Sequence, residues 1–259
     1  MKTSDRRPVT AIVISFNESR RIAGCLESLA WADEIVVVDS GSGDGTREIA
    51  QRYTSKVFEV PWKGFGPQKQ AAVELATHDM IFCLDCDERA TPELAEEIEG
   101  VLRDGGALPA FSVPRRTFLG DKEIRHSGWY PDRTVRLFDR RHARFSDQAV
   151  HERVIVSGAT GRLKGHILHY SFGGFSDILV KMNRYTDLSA KEMFESGRRS
   201  GLSDITLRPF LSFARSYLLR LGFLDGVEGL EIAAAAALHV FAKYAKLREL
   251  ERNRPGAGL

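Results

Sequence analysis

The chain lacks a large excess of charge, a cysteine framework and a long apolar run. Its 259 residues include 37 Lys and Arg against 35 Asp and Glu, a formal net charge of +2. That weak bias argues against nucleic-acid binding, which usually requires a clustered basic face. The three cysteines are odd in number, and the single Cys-x-x-Cys at 83–86 has no second pair to complete a zinc site. We therefore expect packed thiols in a reducing compartment.

Two further absences concern membranes and secretion. Residues 1–8 are polar and lack the apolar core of a signal peptide, so we expect a cytoplasmic protein. The apolar run at 232–242 is shorter than the ~20 residues that a membrane-spanning helix needs. The apolar fraction of 43% nevertheless suffices for one substantial core.

Two apolar runs that end abruptly in acidic residues are the most informative segments. Ile-Val-Val-Val precedes Asp39, and Met-Ile-Phe-Cys-Leu precedes Asp-Cys-Asp-Glu at 85–88. Such runs predict strands buried on both faces of a parallel sheet. Ligands of open α/β sheets bind beyond the carboxyl ends of the strands, so we expect Asp39, Asp85 and Asp87 to line one crevice. The Asp-x-Asp pair suits Mg²⁺ or Mn²⁺ bridged to substrate phosphates.

Strand-like and helix-like patterns alternate through the first hundred residues, which predicts right-handed βαβ units. Thr91 and Pro92 are typical of a helix start. Residues 110–170 change to short strand-like pieces, and residues 177–254 are helical in pattern throughout. The chain is therefore predicted to be α/β, with one domain at 1–176 and a C-terminal helical region at 177–259.

The ordered motifs resemble a known family. Three segments resemble the nucleotide-sugar half of the family-2 glycosyltransferases, namely residues 10–18, 35–46 and 84–88. Four further segments resemble the subgroup that builds the lipopolysaccharide core, which includes β-1,4-glucosyltransferases. These segments are residues 128–133, 136–138, 150–152 and 222–226. The resemblance covers nearly the whole chain. It implies the GT-A fold, a Rossmann-like, mostly parallel sheet with helices on both faces, plus a C-terminal helical region.

The resemblance also implies roles for individual residues. Contacts with the nucleotide-sugar are expected at Ser15, Asn17, Glu18, Asp39, Lys69 and Asp85. Arg133 or Arg136 is expected to neutralise the leaving diphosphate. Asp87 and His169 are the expected ligands of Mg²⁺ or Mn²⁺. An inverting transfer needs one general base. Glu152 is the candidate, with Asp132 as the alternative.

The implied activity is metal-dependent transfer of a sugar, with glucose the expected one, from a UDP-sugar to a hydroxyl of a lipopolysaccharide-core or other lipid-linked glycan acceptor. One alternative is a nucleotidyltransferase, which normally has a glycine-rich loop after the first strand. Residues 15–21 contain no glycine. The other is a non-catalytic membrane-surface adaptor, which leaves the acids at the strand ends unexplained.

Residues 200–252 mix apolar side chains with arginines at helical spacing. The apolar positions are Phe210, Phe213, Tyr217, Leu218 and Leu221, and the arginines are Arg208, Arg215 and Arg220. This mixture predicts peripheral contact with the cytoplasmic membrane surface. A helix packed on the sheet is the alternative, because apolar spacing alone does not identify the partner.

Overall fold

A computed structural model describes residues 6–105, 108–147 and 152–253. The first elements are β1 (Val9–Ser15), α1 (Ile22–Glu27), β2 (Glu34–Asp39), α2 (Thr46–Ala50), β3 (Val57–Glu59), α3 (Phe65–Leu75), β4 (Met80–Asp85), β5 (Glu88–Ala90) and α4 (Pro92–Arg103). The later strands are β6 (Ala110–Leu119), β7 (Lys122–Ile124), β8 (Asp132–Asp139), β9 (Ala143–Phe145), β10 (Val154–Val156), β11 (Thr160–Arg162) and β12 (Ile167–Phe172). The later helices are α5 (Phe175–Glu195), α6 (Leu202–Ala214) and α7 (Val227–Arg252).

The main sheet begins with four parallel strands in the order β3-β2-β1-β4. Strand β8 pairs antiparallel with β4, and β6 pairs antiparallel with β8. Ile12 of β1 lies between Val36 of β2 and Cys83 of β4. The parallel half therefore places the carboxyl ends of β1, β2 and β4 side by side, as the apolar runs predict.

Alternate residues of β1 serve two separate cores. Ala11 and Val13 belong to one buried cluster, and Ile12 belongs to another. A strand buried on both faces needs apolar residues at every position, which explains the continuous Val-Ile run. Each fully buried Ile or Leu contributes about 1.5–3 kcal/mol. The predicted α/β class is confirmed.

Helix α4 shows how local sequence fixes an element. Thr91 Oγ1 accepts a hydrogen bond from the Leu94 N–H at 3.3 Å, and Pro92 occupies the first helical position. Leu94, Ile98 and Leu102 recur every four residues and are buried. The predicted start at Thr91-Pro92 is confirmed.

The chain divides into two compact units. The first comprises Met1–Arg116 and Asp132–His169, and the second Thr117–Pro131 and Tyr170–Leu259. Residues 117–131 thus belong with the C-terminal helices, whereas the sequence placed them in the first domain. A change of unit also falls at 169/170, within strand β12. The predicted domain boundary at 176/177 stays a prediction.

The second unit is not one continuous helical run. After α6 the chain forms a π-helix, Arg215–Leu219, and then a 3₁₀-helix, Gly222–Asp225. Helices α5 and α6 each pack against α7. Within the part of the chain that the structure describes, none of the helices combines the length and apolar character needed to span a bilayer.

Candidate active site

The acidic segment 85–88 forms a tight connection between β4 and β5. Asp85 is the last residue of β4, and Glu88 is the first of β5. The Asp85 N–H donates to Glu88 Oε2 at 3.0 Å, so the fully buried Glu88 closes the connection. Buried carboxylates are costly unless they are paired. The segment therefore depends on cations from other elements.

Asp85 is held between two such cations. Lys69 Nζ lies 2.8 Å from Oδ1, and Arg136 Nη2 lies 3.0 Å from Oδ2. Burial by itself raises the pKa of Asp85, but the charges of Lys69 and Arg136 outweigh it and hold the pKa well below its usual range. Asp85 is therefore ionised at neutral pH and is a poor proton acceptor.

Lys69, on α3, also binds Glu152. Its Nζ donates to Glu152 Oε1 at 2.8 Å, and the side chain is buried. Burial by itself lowers the pKa of Lys69, but the neighbouring carboxylates, Asp85 foremost, raise it above its ordinary value. The amine is thus a fixed cation, and it ties Glu152 to the end of β4.

The ion pairs continue along β8 and β6. Arg136 Nη2 donates to Glu88 Oε1 at 2.5 Å, and Arg115 Nη1 donates to the same oxygen at 3.1 Å. Arg115 Nε in turn donates to Asp132 Oδ2 at 3.0 Å, because the two residues are register partners in the β6–β8 ladder. The network joins the carboxylates of Asp85, Glu88, Asp132 and Glu152 through the cations of Lys69, Arg115 and Arg136.

The predicted metal ligands Asp87 and His169 lie side by side. His169 Nε2 is 3.5 Å from Asp87 Oδ2. The β5–β12 ladder explains the proximity, because His169 is the register partner of Glu88, which follows Asp87. Two ligands that each stand about 2.1 Å from an octahedral ion are about 3 Å apart. The pair therefore fits Mg²⁺ or Mn²⁺ when water and substrate phosphate supply the remaining oxygens.

The described residues contain no cluster of three or more His, Cys, Asp and Glu side chains arranged to hold a metal ion. This agrees with the usual behaviour of Mg²⁺, which takes one or two carboxylates together with substrate phosphates and is seldom caged by protein alone. The metal role of Asp87 and His169 stays a prediction.

Asp39 ends β2 and is enclosed by its surroundings. The fully buried carboxylate accepts hydrogen bonds from Ser15 Oγ at 2.8 Å, the Gly41 N–H at 3.0 Å, the Ser42 N–H at 2.7 Å and Ser42 Oγ at 2.6 Å. These bonds satisfy the carboxylate and shape the turn after β2. Direct contact between Asp39 or Ser15 and a nucleotide requires an internal bond to be exchanged, so this role also stays a prediction.

Asn17 and Glu18 follow β1 and join the same turn. Asn17 Oδ1 accepts from the Gly43 N–H at 3.0 Å, and the Glu18 N–H donates to Thr46 Oγ1 at 2.8 Å. Asn17 has φ +55°, a left-handed conformation that Asn tolerates. The two loops form one polar rim at the carboxyl ends of β1 and β2, where the sequence predicts nucleotide contacts.

The two arginines predicted for the diphosphate make different contacts from β8. Arg133 Nη1 donates to the Leu163 carbonyl at 3.0 Å, and the ion pairs of the network do not include Arg133. Arg136 reaches the network, but its buried guanidinium is committed to Asp85 and Glu88. These contacts hold the acidic segment in place, and the diphosphate contact of Arg133 or Arg136 stays a prediction.

Glu88 and Arg115 are the network members whose roles the sequence did not reveal. Glu88 follows the Asp-x-Asp motif, and nothing in its position distinguishes it from a solvated turn residue. Arg115 meets Asp132 only through the β6–β8 register, which is shifted by an irregularity between Phe111 and Ser112. A search for opposite charges on paired strands finds Arg115 once that register is known.

Glu152 and Asp132 remain the two candidates for the base. Within the described residues, Lys69 is the one hydrogen-bond donor to Glu152, and the contact engages Oε1, which leaves Oε2 for an acceptor hydroxyl. The neighbouring Val150 and His151 lie outside the described residues. Asp132 is more exposed, and two nitrogens of Arg115 donate to its Oδ2. This double contact engages Oδ2 of Asp132 with Arg115, on the side of the β6–β8 ladder.

Known proteins resemble the chain along most of its length. It is 31% identical over 257 residues to the lipopolysaccharide core biosynthesis glycosyltransferase LpsC of Rhizobium meliloti (strain 1021), covering 96% of this chain and 95% of the relative. It is 27% identical over 261 residues to the uncharacterized glycosyltransferase RC0292 of Rickettsia conorii, covering 96% and 93%. A crystal structure of S. aureus TarS 1-349 in complex with UDP covers 97% of this chain and 93% of that one, with 14% identity and a TM-score of 0.49.

The sequence pattern of one protein family also matches. The family described as "Glycosyl transferase family 2" matches residues 10–164, a span that contains the whole of the network and all but one of the predicted site residues. The exception is His169. The family match and the similarity to LpsC both indicate a glycosyltransferase, and the chain belongs to glycosyl transferase family 2.

Proposed function

We propose that this chain is an inverting glycosyltransferase that moves a sugar, glucose in the first instance, from a UDP-sugar to a hydroxyl of a lipopolysaccharide-core or other lipid-linked glycan. The contact between Lys69 and Glu152 carries the proposal, because it fixes a carboxylate beside the acidic segment that ends β4. The likeness to a lipopolysaccharide core glycosyltransferase supports the acceptor class.

In this proposal the residues divide the work of an inverting transfer. Glu152 takes the proton from the acceptor hydroxyl as that oxygen attacks the anomeric carbon. Lys69 orients Glu152 and keeps it close to the donor. Asp85, held ionised by Lys69 and Arg136, is suited to accept hydrogen bonds from sugar hydroxyls.

Asp87 and His169 are the residues that would hold a divalent ion. When bound, Mg²⁺ or Mn²⁺ supplies Lewis acidity toward the leaving diphosphate. Arg136 and Glu88 keep the acidic segment in one conformation, so that Asp87 stays beside His169. Holding Asp87 in place accounts for the contacts that Lys69, Arg136 and the buried Glu88 make around the four-residue segment 85–88.

Membership of a glycosyltransferase family disfavours both alternatives, the nucleotidyltransferase and the non-catalytic adaptor. The structure adds that the acids at the end of β4 belong to a network of ion pairs, which an adaptor does not require. A UDP-release assay over a panel of UDP-sugars with lipopolysaccharide-core acceptors, with and without Mn²⁺, tests the proposal. Failure to release UDP with any donor and acceptor overturns it.

We also propose that α6 lies on the cytoplasmic membrane surface. The helix has no buried residue, and Leu202, Leu207, Phe210 and Leu211 are each more than half exposed. Singly exposed apolar side chains are common, but a continuous exposed apolar surface marks an interaction site. The alternative is a helix packed on the sheet. Helix α6 packs against α7, and its lack of buried residues favours the membrane proposal over that alternative.

The structure narrows the set of residues that would touch lipid. The helical spacing of Phe213 and Tyr217 predicts that they contact the membrane surface, but both side chains are half-buried. Their rings pack together with centroids 5.4 Å apart. Phe210 and its exposed leucine neighbours are therefore the residues to change in a membrane-binding experiment.

A further inference from the structure

The second unit contains a pocket of its own, built entirely from residues 117–131 and 170–259. Its volume is about 360 Å³, within the range of about 300–1,000 Å³ typical of small-molecule sites. Trp129 and Ile178 contribute to an apolar wall, and Arg215, Arg220, Ser127 and Ser216 contribute polar groups. No carboxylate lines the pocket within the described residues.

Two hydroxyls of the pocket are buried without a protein partner. Ser127 and Ser216 are 4% and 5% exposed, and neither Oγ forms a hydrogen bond within the described part of the chain. Leaving a buried polar group unpaired costs free energy, so such groups are uncommon unless a ligand or water satisfies them. Two of them in the wall of one pocket indicate a polar ligand.

The same pocket has two guanidinium groups that no described carboxylate pairs with. Arg215 lies at the start of the π-helix, and Arg220 directly follows that helix. Burial lowers the pKa of His239, which also lines the pocket, so this imidazole is neutral at pH 7. The positive charge therefore comes from the two arginines, and guanidinium is well suited to phosphate oxygens.

The motif at 222–226 explains how the pocket is held together. Asp225 is buried and accepts hydrogen bonds from the backbone N–H groups of Arg125 at 3.2 Å and His126 at 2.8 Å. The Ser127 N–H donates to the Arg220 carbonyl at 2.9 Å. The motif thus fixes Ser127 beside Arg220, although about a hundred residues separate the two segments.

Gly128 and Gly222 keep the space beside these groups open. A Cβ at Gly128 would lie 2.1 Å from Arg220 Nη1, and one at Gly222 would lie 2.6 Å from Ser127 Oγ. Gly128 also has φ +83°, which favours glycine. At Gly128 the backbone conformation favours glycine, and at Gly222 a Cβ would also lie 2.8 Å from the Ser216 carbonyl oxygen.

We propose that this pocket binds a phosphate group carried on a partly apolar molecule. The phosphate oxygens accept hydrogen bonds from Arg215, Arg220 and the two serine hydroxyls. The apolar remainder lies against the wall that contains Trp129 and Ile178. The pocket shares no residue with the predicted nucleotide-sugar site. Its ligand is either a phosphorylated membrane lipid or a phosphorylated soluble molecule.

Calorimetry on the full chain tests the proposal with two probes, inorganic phosphate and monomeric dihexanoyl phosphatidic acid. We expect saturable binding of at least one. The double variant Arg215→Gln/Arg220→Gln should weaken it about tenfold or more, because hydrogen bonds to charged groups are the strong ones. The control Arg248→Gln/Arg252→Gln replaces two exposed arginines of α7. It makes the same charge change outside the pocket and should leave the affinity unchanged.

Ser216→Ala separates binding from folding. Removing an unpaired buried hydroxyl should leave the melting temperature unchanged or raise it, while probe affinity falls several-fold. Phosphatidic acid bound about tenfold more tightly than inorganic phosphate would identify a lipid ligand, and similar affinities a soluble one. The proposal is overturned if neither probe shows saturable binding. It is also overturned if the arginine double variant and Ser216→Ala bind the probes as tightly as the control variant does.

Discussion

Lys69 donates a hydrogen bond to Glu152 at 2.8 Å across 83 residues of sequence. The same amine lies 2.8 Å from Asp85. One buried cation therefore sets the distance between the candidate base and the acidic segment that ends β4. Any change in the charge or length of this side chain should affect both carboxylates together.

Glu152→Gln should separate chemistry from binding. The amide oxygen still accepts the hydrogen bond from Lys69, but the group cannot take a proton from the acceptor. We expect turnover to fall by roughly 10² or more while donor affinity is retained. UDP release gives turnover, and calorimetry with the UDP-sugar gives affinity. Near-normal turnover, together with a large loss in Asp132→Asn, would transfer the base role to Asp132.

Asp87→Ala should abolish Mn²⁺-dependent binding of UDP and leave the fold intact. Asp87 lies in the connection after β4 and not in the core, and its described contact is with His169. Calorimetry with UDP, with and without Mn²⁺, measures the effect. Glu96→Ala removes an exposed carboxylate from α4 and serves as the control. Equal Mn²⁺-dependent affinity in the two variants would remove the metal role from Asp87.

Arg136→Met should be strongly destabilising. The change leaves Glu88, which is fully buried, and Asp85 without a shared cation. Breaking a buried pair in this way costs about 3–5 kcal/mol. Arg133→Met, on the same strand, loses only hydrogen bonds to carbonyls and should cost about 1 kcal/mol. Urea unfolding at pH 7 compares the two.

The stabilities of the same two variants should depend differently on pH. In Arg136→Met the carboxylates of Glu88 and Asp85 each keep one cation, Arg115 and Lys69, but lose the one they share. That loss is costly only while the carboxylates are ionised, so the stability gap from the unmodified protein should narrow as pH falls toward 4. Arg133→Met should show no such narrowing. A gap that is constant with pH would show that the guanidinium acts by packing and not by charge.

Glu34 should make the fold sensitive to acid. Burial by itself raises the pKa of Glu34, but hydrogen bonds from Lys56, Thr10 and Thr77 lower it from 4.5 to about 2. A depressed folded-state pKa stabilises the protein above the unfolded pKa, and this contribution is lost between about pH 4.5 and 2. Glu34→Gln should be less stable at pH 7 and should lose less stability over that interval, as measured by urea unfolding.

Membrane attachment should depend on α6. The triple variant Leu207→Ser/Phe210→Ser/Leu211→Ser removes exposed apolar surface and should reduce flotation with anionic liposomes at low salt. Val180→Ser/Leu188→Ser changes exposed apolar residues on α5 and serves as the control. If the unmodified protein does not float with the liposomes, the membrane proposal fails.

The strands of the first unit could be predicted because buried parallel strands leave a local signature. Continuous β-branched runs before Asp39 and Asp85 identify β2 and β4, and their parallel pairing with β1 follows from the intervening helices. The Asp-x-Asp pattern predicts a metal site, and the resemblance assigns Asp87 and His169 as its ligands. Its geometry depends on the antiparallel pairing of β12 with β5, which no local pattern encodes.

Two features could not be predicted from local sequence. One is the strand register that distinguishes Arg133 from Arg136, and the other is the contact of residues 117–131 with a segment about a hundred residues away. Arg133 and Arg136 are equivalent as charges, but Arg133 pairs with Pro114 in the β6–β8 ladder, whereas Arg136 lies at the irregularity of that ladder. Residues 117–131 belong to the helical unit because Asp225 binds the backbone of this segment about a hundred residues away. Helical periodicity in 177–254 gives no indication of that partner.

The insertion of residues 117–131 limits how the helical unit can be moved between proteins. The chain leaves the first unit at 116/117, returns at 131/132 and leaves again at 169/170. A fragment that begins at Tyr170 lacks Ser127 and the backbone donors that satisfy buried Asp225, so it cannot be grafted as a simple C-terminal fusion. Recombination between homologous genes should preserve both segments together, and a chimera that exchanges the C-terminal helices alone should require residues 117–131 from the same parent.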